Sequence, residues 1–550
     1  MGLSLLLLLA CAPEPVVDQA PPTTDPQPGT ETEPGTETQP GTETQPVEID
    51  PVRVLIRASL DLRGVRPSVE ELALVQQDPA QLDLLIEGFL VDERFEDRVV
   101  ALFSEIYQTQ SDSLLVTYWE TSSDHPGLVK SIGEEPLRIL AHVAANDLPW
   151  YEIVTGEWTM ADPLMAEVWP LDYPAGETGW QQVRYTDDRP AAGILSTNSL
   201  WWRYSTTYAN ANRGRANAIS RLLFCTDYLT LPIEFDRDVN LLDEGAINEA
   251  LKSNPGCVAC HNTLDPLSSY LWGFYYNSAT HVDVAYYHPE REQWWRTATE
   301  VEPSFYGEPS FNIEDLAWQI ATDERLPTCA TEQVFEQLLQ RESTLDDTRE
   351  LTALRETFLD QGLTLRALIR AVMASEEYRA VGSVGQWKLT RPDLLASQVE
   401  ELTGYRFTYA DYDMMTTDTY GLRTLAGGID GGFVTSPAPQ FNATMALSFE
   451  RLAQAAAWSV ARHDKSWPDE ARLFTRIAFT ETPASAPEPM IAQIQDLHLR
   501  LFGATVAADG PEVQANLELW QELYEAEGDP SAAWAGLLSV LLRDPAFLFY

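Results

Sequence analysis

The sequence predicts a mainly α-helical, multi-domain chain with little β structure. Three observations lead there. From Pro51 onward, apolar residues recur at helical spacing, as in Leu82, Leu85, Ile86, Phe89 and Leu90 and again in Phe95, Val99, Leu102, Phe103 and Ile106. Strand-like alternation is scarce, with 281–287 the best candidate. At 550 residues and 44% hydrophobic, the chain exceeds what one compact core of ordinary size accommodates.

Taken in order, residues 1–10 read as a lipoprotein export signal. The apolar run Leu3 to Ala10 falls far short of the roughly 20 residues that span a bilayer. It ends in Leu8-Leu9-Ala10-Cys11, which resembles a lipobox and makes Cys11 the site of lipid attachment. No Lys or Arg precedes the run, so the expected true start lies upstream; an ordinary signal peptide is the alternative. Residues 11–50 form a tether rich in Pro, Thr, Glu and Gln, in which a Pro-Gly-Thr-Glu-Thr-Glu/Gln unit begins at Pro28, Pro34 and Pro40. Such a segment holds too little apolar surface to offset its chain entropy.

In the body, Ser68-Val69-Glu70-Glu71 carries a capping-box pattern, and Asp78-Pro79 reads as a cap followed by proline at the first helical position. Further helices are expected at 134–146, 213–225, 314–322, 331–341, 350–360, 364–374, 391–403, 443–462, 488–501 and 532–543. One pattern repeats: an apolar pair, two residues, a second apolar pair, one residue, Asp or Ser, two residues, an aromatic. It fits Leu85 to Phe95, Leu368 to Tyr378 and Leu537 to Phe547. It reads as a helix whose apolar stripe ends at a polar cap, and so as the close of three helical subdomains.

The formal charge of −48 arises from 84 acidic against 36 basic side chains. The lysines are Lys130, Lys252, Lys388 and Lys465, so arginine supplies most of the positive charge. This balance argues against nucleic-acid binding and against adsorption on lipid through basic patches. No calcium-type oxygen loop, Gly-x-Ser-x-Gly elbow or His-Glu-x-x-His motif occurs, and no catalytic residue is identifiable. Gly427-Gly428-Ile429-Asp430-Gly431-Gly432 lacks the lysine and spacing of a phosphate loop and reads as a tight turn. The tryptophans, Trp201-Trp202 and Trp294-Trp295 among them, are expected to pack in cores or beside a cofactor.

The motif that carries chemistry is Cys257-Val258-Ala259-Cys260-His261. Covalent attachment of a c-type haem needs two thiols about one helical turn apart, with the next residue supplying the proximal imidazole, and the spacing meets that need. Export favours this reading, and no second Cys-x-x-Cys exists to complete a zinc site. With Cys11 assigned to lipid and Cys257 and Cys260 to haem, Cys225 and Cys329 remain, and outside the cytoplasm they are expected to form a disulfide. Bridging them would contribute up to roughly 4–5 kcal/mol on the chain-entropy model; two buried thiols are the alternative. The rival reading of Cys257 and Cys260 is a structural or redox-active disulfide without haem.

Several stretches then resemble a known group. Arg189-Pro190-Ala191-Ala192-Gly193-Ile194-Leu195, Asn212-Arg213-Gly214-Arg215 leading to Leu222-Leu223-Phe224-Cys225, the Cys257 to His261 motif, and Leu264-Asp265-Pro266-Leu267 are similar to segments of planctomycete-type cytochrome-like multi-domain envelope proteins. Ser59 to Gly64 and Asp147-Leu148-Pro149-Trp150 resemble their upstream modules, and Leu316-Ala317, Pro327-Thr328-Cys329 and Leu368 to Tyr378 their C-terminal one. The resemblance spans most of residues 51–380, and Trp387 with Leu402-Thr403-Gly404 resembles a module of related envelope proteins. It implies haem attachment at Cys257, Cys260 and His261. The group has glycine after Asp-Pro-Leu where this chain has Ser268, which predicts a different turn there.

The resulting expectation divides the body into an N-terminal helical domain (51–205), a cytochrome-c-like segment (206–300), a helical domain closing that region (301–382) and a C-terminal helical domain (383–550). The expected function is that of an envelope lipoprotein, anchored through Cys11 to the outer membrane and facing the periplasm or cell surface. It would hold one covalent haem c, with His261 the proximal iron ligand and His281 a distal candidate. His288 and Met373 are further candidates for the same place, although Met373 fits a core stripe better and an ordinary surface role suits His281 and His288 at least as well. An unfilled distal position would suit peroxidase-like or ligand-sensing chemistry, and one haem forms no wire, so a redox partner protein is required. The alternatives are a non-catalytic envelope scaffold or binding lipoprotein with a Cys257–Cys260 disulfide, and an enzyme that oxidises a polymer.

Overall fold

A computed structural model of the chain describes residues 47–48, 50–112, 125–232, 239–240, 242–275, 287–381, 387–410, 412–466 and 472–550. The chain is mainly helical, with 60% helix and 4% strand. The strands described form two-stranded antiparallel pairs, such as Val47–Glu48 with Ala380–Val381 and Thr159–Ala161 with Gln181–Val183. Among the described residues no helix is long and apolar enough to cross a membrane. Cys11, residues 12–46 and 49 of the 11–50 tether, and residues 281–286 of the strand candidate 281–287 lie outside the described residues.

Helices open by one recurring device. Asp or Asn followed by Pro starts Pro51–Arg63, Pro163–Val168, Pro255–Ser268, Pro530–Leu541 and Pro545–Leu548. In each the Asp or Asn oxygen accepts from a first-turn amide at 2.8–3.0 Å, as Asp50 does from Val52. Proline occupies a position whose N–H has no helical partner in any case, and each cap contributes about 1 kcal/mol. Asp78-Pro79 departs from this pattern: Gln81–Phe89 begins two residues later, after a turn in which Gln81 N–H donates to the Asp78 carbonyl (3.0 Å). The capping box at Ser68 is present, with Ser68 Oγ accepting from Glu71 N–H (3.1 Å) and Glu71 Oε2 from Ser68 N–H (2.8 Å).

All three copies of the repeat adopt the same local structure. Phe95, Tyr378 and Phe547 follow a helix and its polar stop at Asp92, Ser375 and Asp544, and each ring is fully buried. Each such ring contributes roughly 1.5–3 kcal/mol through burial. A guanidinium also covers each one: Arg366 over Phe95, Arg57 over Tyr378 and Arg66 over Phe547, at 4.7–5.6 Å from the ring centres. Arg57 and Arg66 additionally donate to the carbonyls of the rings they cover, Tyr378 (2.7 Å) and Phe547 (3.1 Å).

Two apolar cores result. One gathers buried residues from Val54 to Tyr378 together with Leu394 and Tyr550; the other gathers residues from Leu389 to Leu548. Their junction is polar and buried. Asp61 is ion-paired with Lys388 and accepts from the hydroxyls of Tyr378 (2.7 Å) and Tyr550 (3.2 Å). Lys388 and Tyr550 exchange backbone hydrogen bonds (2.9 and 3.0 Å), and Thr390 N–H donates to Leu548 O (2.9 Å). Within the first core, Cys225 and Cys329 are disulfide-bonded, with Cα atoms 5.3 Å apart, joining the end of Arg213–Phe224 to Arg325–Leu339.

Candidate functional site

The helix Pro255–Ser268 carries the cysteine motif. Asn254 ends the preceding helix, Glu244–Ser253, and caps this one, its Oδ1 accepting from Gly256 N–H (3.0 Å). Cys257 stands three residues before Cys260 and four before His261, so the three side chains share one helical face. Both cysteines are free thiols and half-buried. The first half of the helix is the more exposed, with Cys260 packed against the first core, whereas Leu264, Asp265, Leu267 and Ser268 are buried.

One turn beyond the histidine, Asp265 Oδ1 lies 2.9 Å from His261 Nδ1. Arg213, on the Arg213–Phe224 helix, clamps the same carboxylate: Nε donates to Oδ1 (2.5 Å) and Nη2 to Oδ2 (3.3 Å). Burial alone would push the pKa of Asp265 up, but hydrogen bonds from His261 and Arg213 and the Arg213 charge outweigh it and hold the carboxyl below its usual range. Two positions on, Arg215 is buried and donates to Phe274 O (2.8 Å) and Trp201 O (3.0 Å). The short Arg213-Gly214-Arg215 segment thus fixes both the carboxylate behind the histidine and the chain that leaves the helix.

At the position where a different turn is expected, Ser268 closes the helix Pro255–Ser268. Its backbone is helical (φ −65°), a conformation any residue adopts, and its hydroxyl donates to Asp265 O (2.8 Å). The Ser269 hydroxyl donates to the same carbonyl (3.1 Å) and to Val301 O (2.8 Å). After these serines the chain passes Gly273, where a Cβ would come within 2.3 Å of the Tyr287 ring. Glycine is therefore required, and Trp272, Tyr275 and Trp295 form a separate aromatic cluster beside it, with Trp294 packed on its edge.

The remaining candidates divide plainly. His281 lies outside the described residues. His288 is buried, with Nδ1 3.0 Å from Glu290 Oε1. Met373 is fully buried in the first core beside Leu368, Ile369 and Val372, as its helical stripe implies. Trp201, Trp202 and Trp295 are buried packing residues. In the glycine-rich turn, Asp430 Oδ1 accepts from the amides of Gly432, Phe433 and Val434 (2.7–2.8 Å), so the protein's own carboxylate fills the position a phosphate would need. A cavity of about 340 Å³, unforeseen from sequence, is lined by Trp150, Tyr151, Leu326, Pro327, Arg355 and Leu363, none of them on the cysteine helix.

Sequence reasoning missed Asp265 and Arg213 as site residues, although both lie in segments that carry the family resemblance. The available signal was the four-residue step from His261 to Asp265, which on a helix sets the two side chains together. Among the described residues no group of three or more His, Cys, Asp and Glu side chains converges as a metal cage. Two unpaired thiols one turn apart, followed by an imidazole whose Nε2 is hydrogen-bonded by no described residue, are the donors that covalent haem attachment requires, so the residues present fit that group. Compared with known proteins, the chain matches no protein-family model, no curated protein and no solved structure.

Proposed function

We propose that this chain is an envelope lipoprotein, tethered through Cys11, that carries one covalent haem c and serves electron transfer or redox chemistry with a partner protein. The observation that supports it most is the shared helical face of Cys257, Cys260 and His261, with the histidine's other nitrogen held by Asp265. Cys257 and Cys260 would hold the group as thioethers, and His261 would ligate through Nε2. When bound, a c-type haem supplies a one-electron redox centre whose potential follows its axial ligands and burial. The protein's own residues do the positioning: Asn254 fixes the start of the helix, Arg213 ties it to its neighbour, Arg215 holds the chain that follows it at Phe274, and Asp265 orients the imidazole.

The test is expression of the full chain in a bacterial host with cytochrome maturation machinery. The expected result is an intact mass increased by one haem and one lipid anchor, with a Soret band that Cys257→Ser with Cys260→Ser abolishes. A colourless product whose Cys257 and Cys260 are oxidised to each other would overturn this reading in favour of a scaffold or binding lipoprotein.

A further inference from the structure

We infer that Asp265, held by Arg213, is the positioning residue that selects the tautomer of His261 and sets the electron density at its metal-facing nitrogen. This rests on the haem reading above and deepens it. An ionised carboxylate only accepts hydrogen bonds, so the 2.9 Å contact places the imidazole proton on Nδ1. The lone pair is then on Nε2, the nitrogen no described residue uses.

Asp265 has little freedom to do otherwise. Its side chain is 10% exposed and is gripped by two guanidinium nitrogens from a different helix. Its carbonyl accepts from the hydroxyls of Ser268 and Ser269, and the latter also reaches Val301 O, tying the turn to a further segment. A full negative charge behind an imidazole gives that ring more anionic character than a neutral acceptor would. It therefore favours the more highly charged, oxidised metal and lowers the potential. Arg213 moderates the effect by sharing the same oxygen.

Two variants follow with opposite signs. In haem-loaded full chain, Asp265→Asn is expected to raise the midpoint potential and lower the iron–histidine stretching frequency in resonance Raman spectra. Arg213→Gln, which frees the carboxylate and removes a cation, is expected to lower the potential. In the Cys257→Ser/Cys260→Ser chain, which cannot form the thioethers, nitrogen-15 spectra of labelled histidine should show His261 protonated on Nδ1, shifting toward Nε2 when Asp265→Asn is added. If the wild-type chain takes up haem but both variants keep its potential and stretching frequency, Asp265 is packing only and the inference is overturned while the haem reading stands. If the wild-type chain takes up no haem, the haem reading fails, and the tautomer measurement decides the inference: an unchanged tautomer overturns it. Should Asp265→Asn fail to fold, Arg213→Gln carries the potential test alone.

Discussion

Lys388 shows what one residue costs and contributes inside this protein. Burial drives its ammonium down to about 8, opposed by the Asp61 carboxylate and reinforced by Arg57. The folded chain therefore releases this proton before the unfolded chain, whose lysine titrates at 10.5, so the Lys388 contribution to stability climbs between about pH 8 and 10.5. Tyr378 and Tyr550 act oppositely: burial pushes both hydroxyls well above 10, so the folded state keeps their protons longer and loses stability above that pH. Lys388→Met leaves Asp61 buried and unpaired and should destabilise by about 3–5 kcal/mol at pH 7. Urea unfolding from pH 7 to 10 should show wild type gaining on the variant as pH rises; a pH-independent gap would contradict the assignment. None of this was legible beforehand, because Asp61 and Lys388 lie 327 positions apart and Arg213 and Asp265 lie 52 apart. Cys257, Cys260 and His261, by contrast, stand within one turn, where spacing alone suffices.

At the scale of elements, periodicity was a sound guide where the buried stripe is broad. The expected helices at 213–225, 364–374 and 443–462 correspond to Arg213–Phe224, Leu365–Ala374 and Ala443–His463. Pro511–Glu527 escaped because Val513 and Trp520 are its buried residues, too thin a stripe to stand out among glutamates. Arg325–Leu339 starts before its expected 331 because Pro327 sits in the first turn, where a proline is tolerated. The Cys225–Cys329 bridge also belongs to this scale. It closes a separation of 104 residues between two helices of one core. Replacing both cysteines with alanine should lower unfolding stability by about 2–5 kcal/mol, read as a lower urea midpoint. An unchanged midpoint would mean that packing of those helices holds without the bond.

Across the whole molecule, arginine serves inward. Arg63 lies over Phe89 at 3.7 Å, Arg189 over Tyr185 at 3.4 Å and Arg325 over Tyr306 at 3.8 Å, while Arg57, Arg66 and Arg215 are buried. With a net charge of −48, cations committed to rings and carbonyls leave carboxylates to dominate the field facing solvent. Raising sodium chloride from about 10 mM to 150 mM, which shortens the screening length from about 30 Å to about 8 Å, should therefore raise the melting temperature. A fall would mean that screening of internal ion pairs outweighs relief of surface repulsion. An acidic surface also sets the sign of any redox partner's docking face, which must be basic for rapid encounter.

The polar junction between the cores has a temporal consequence. Asp61 and Arg66 are made early, yet Tyr550 and Phe547 follow them by 489 and 481 positions. During vectorial synthesis Asp61 waits for Tyr378 and Lys388, and Arg66 for Gln398, while Tyr550 and Phe547 complete both sets of partners last. Closure of that seam is then a late event, and premature truncation would release a product whose inner ions stay wet.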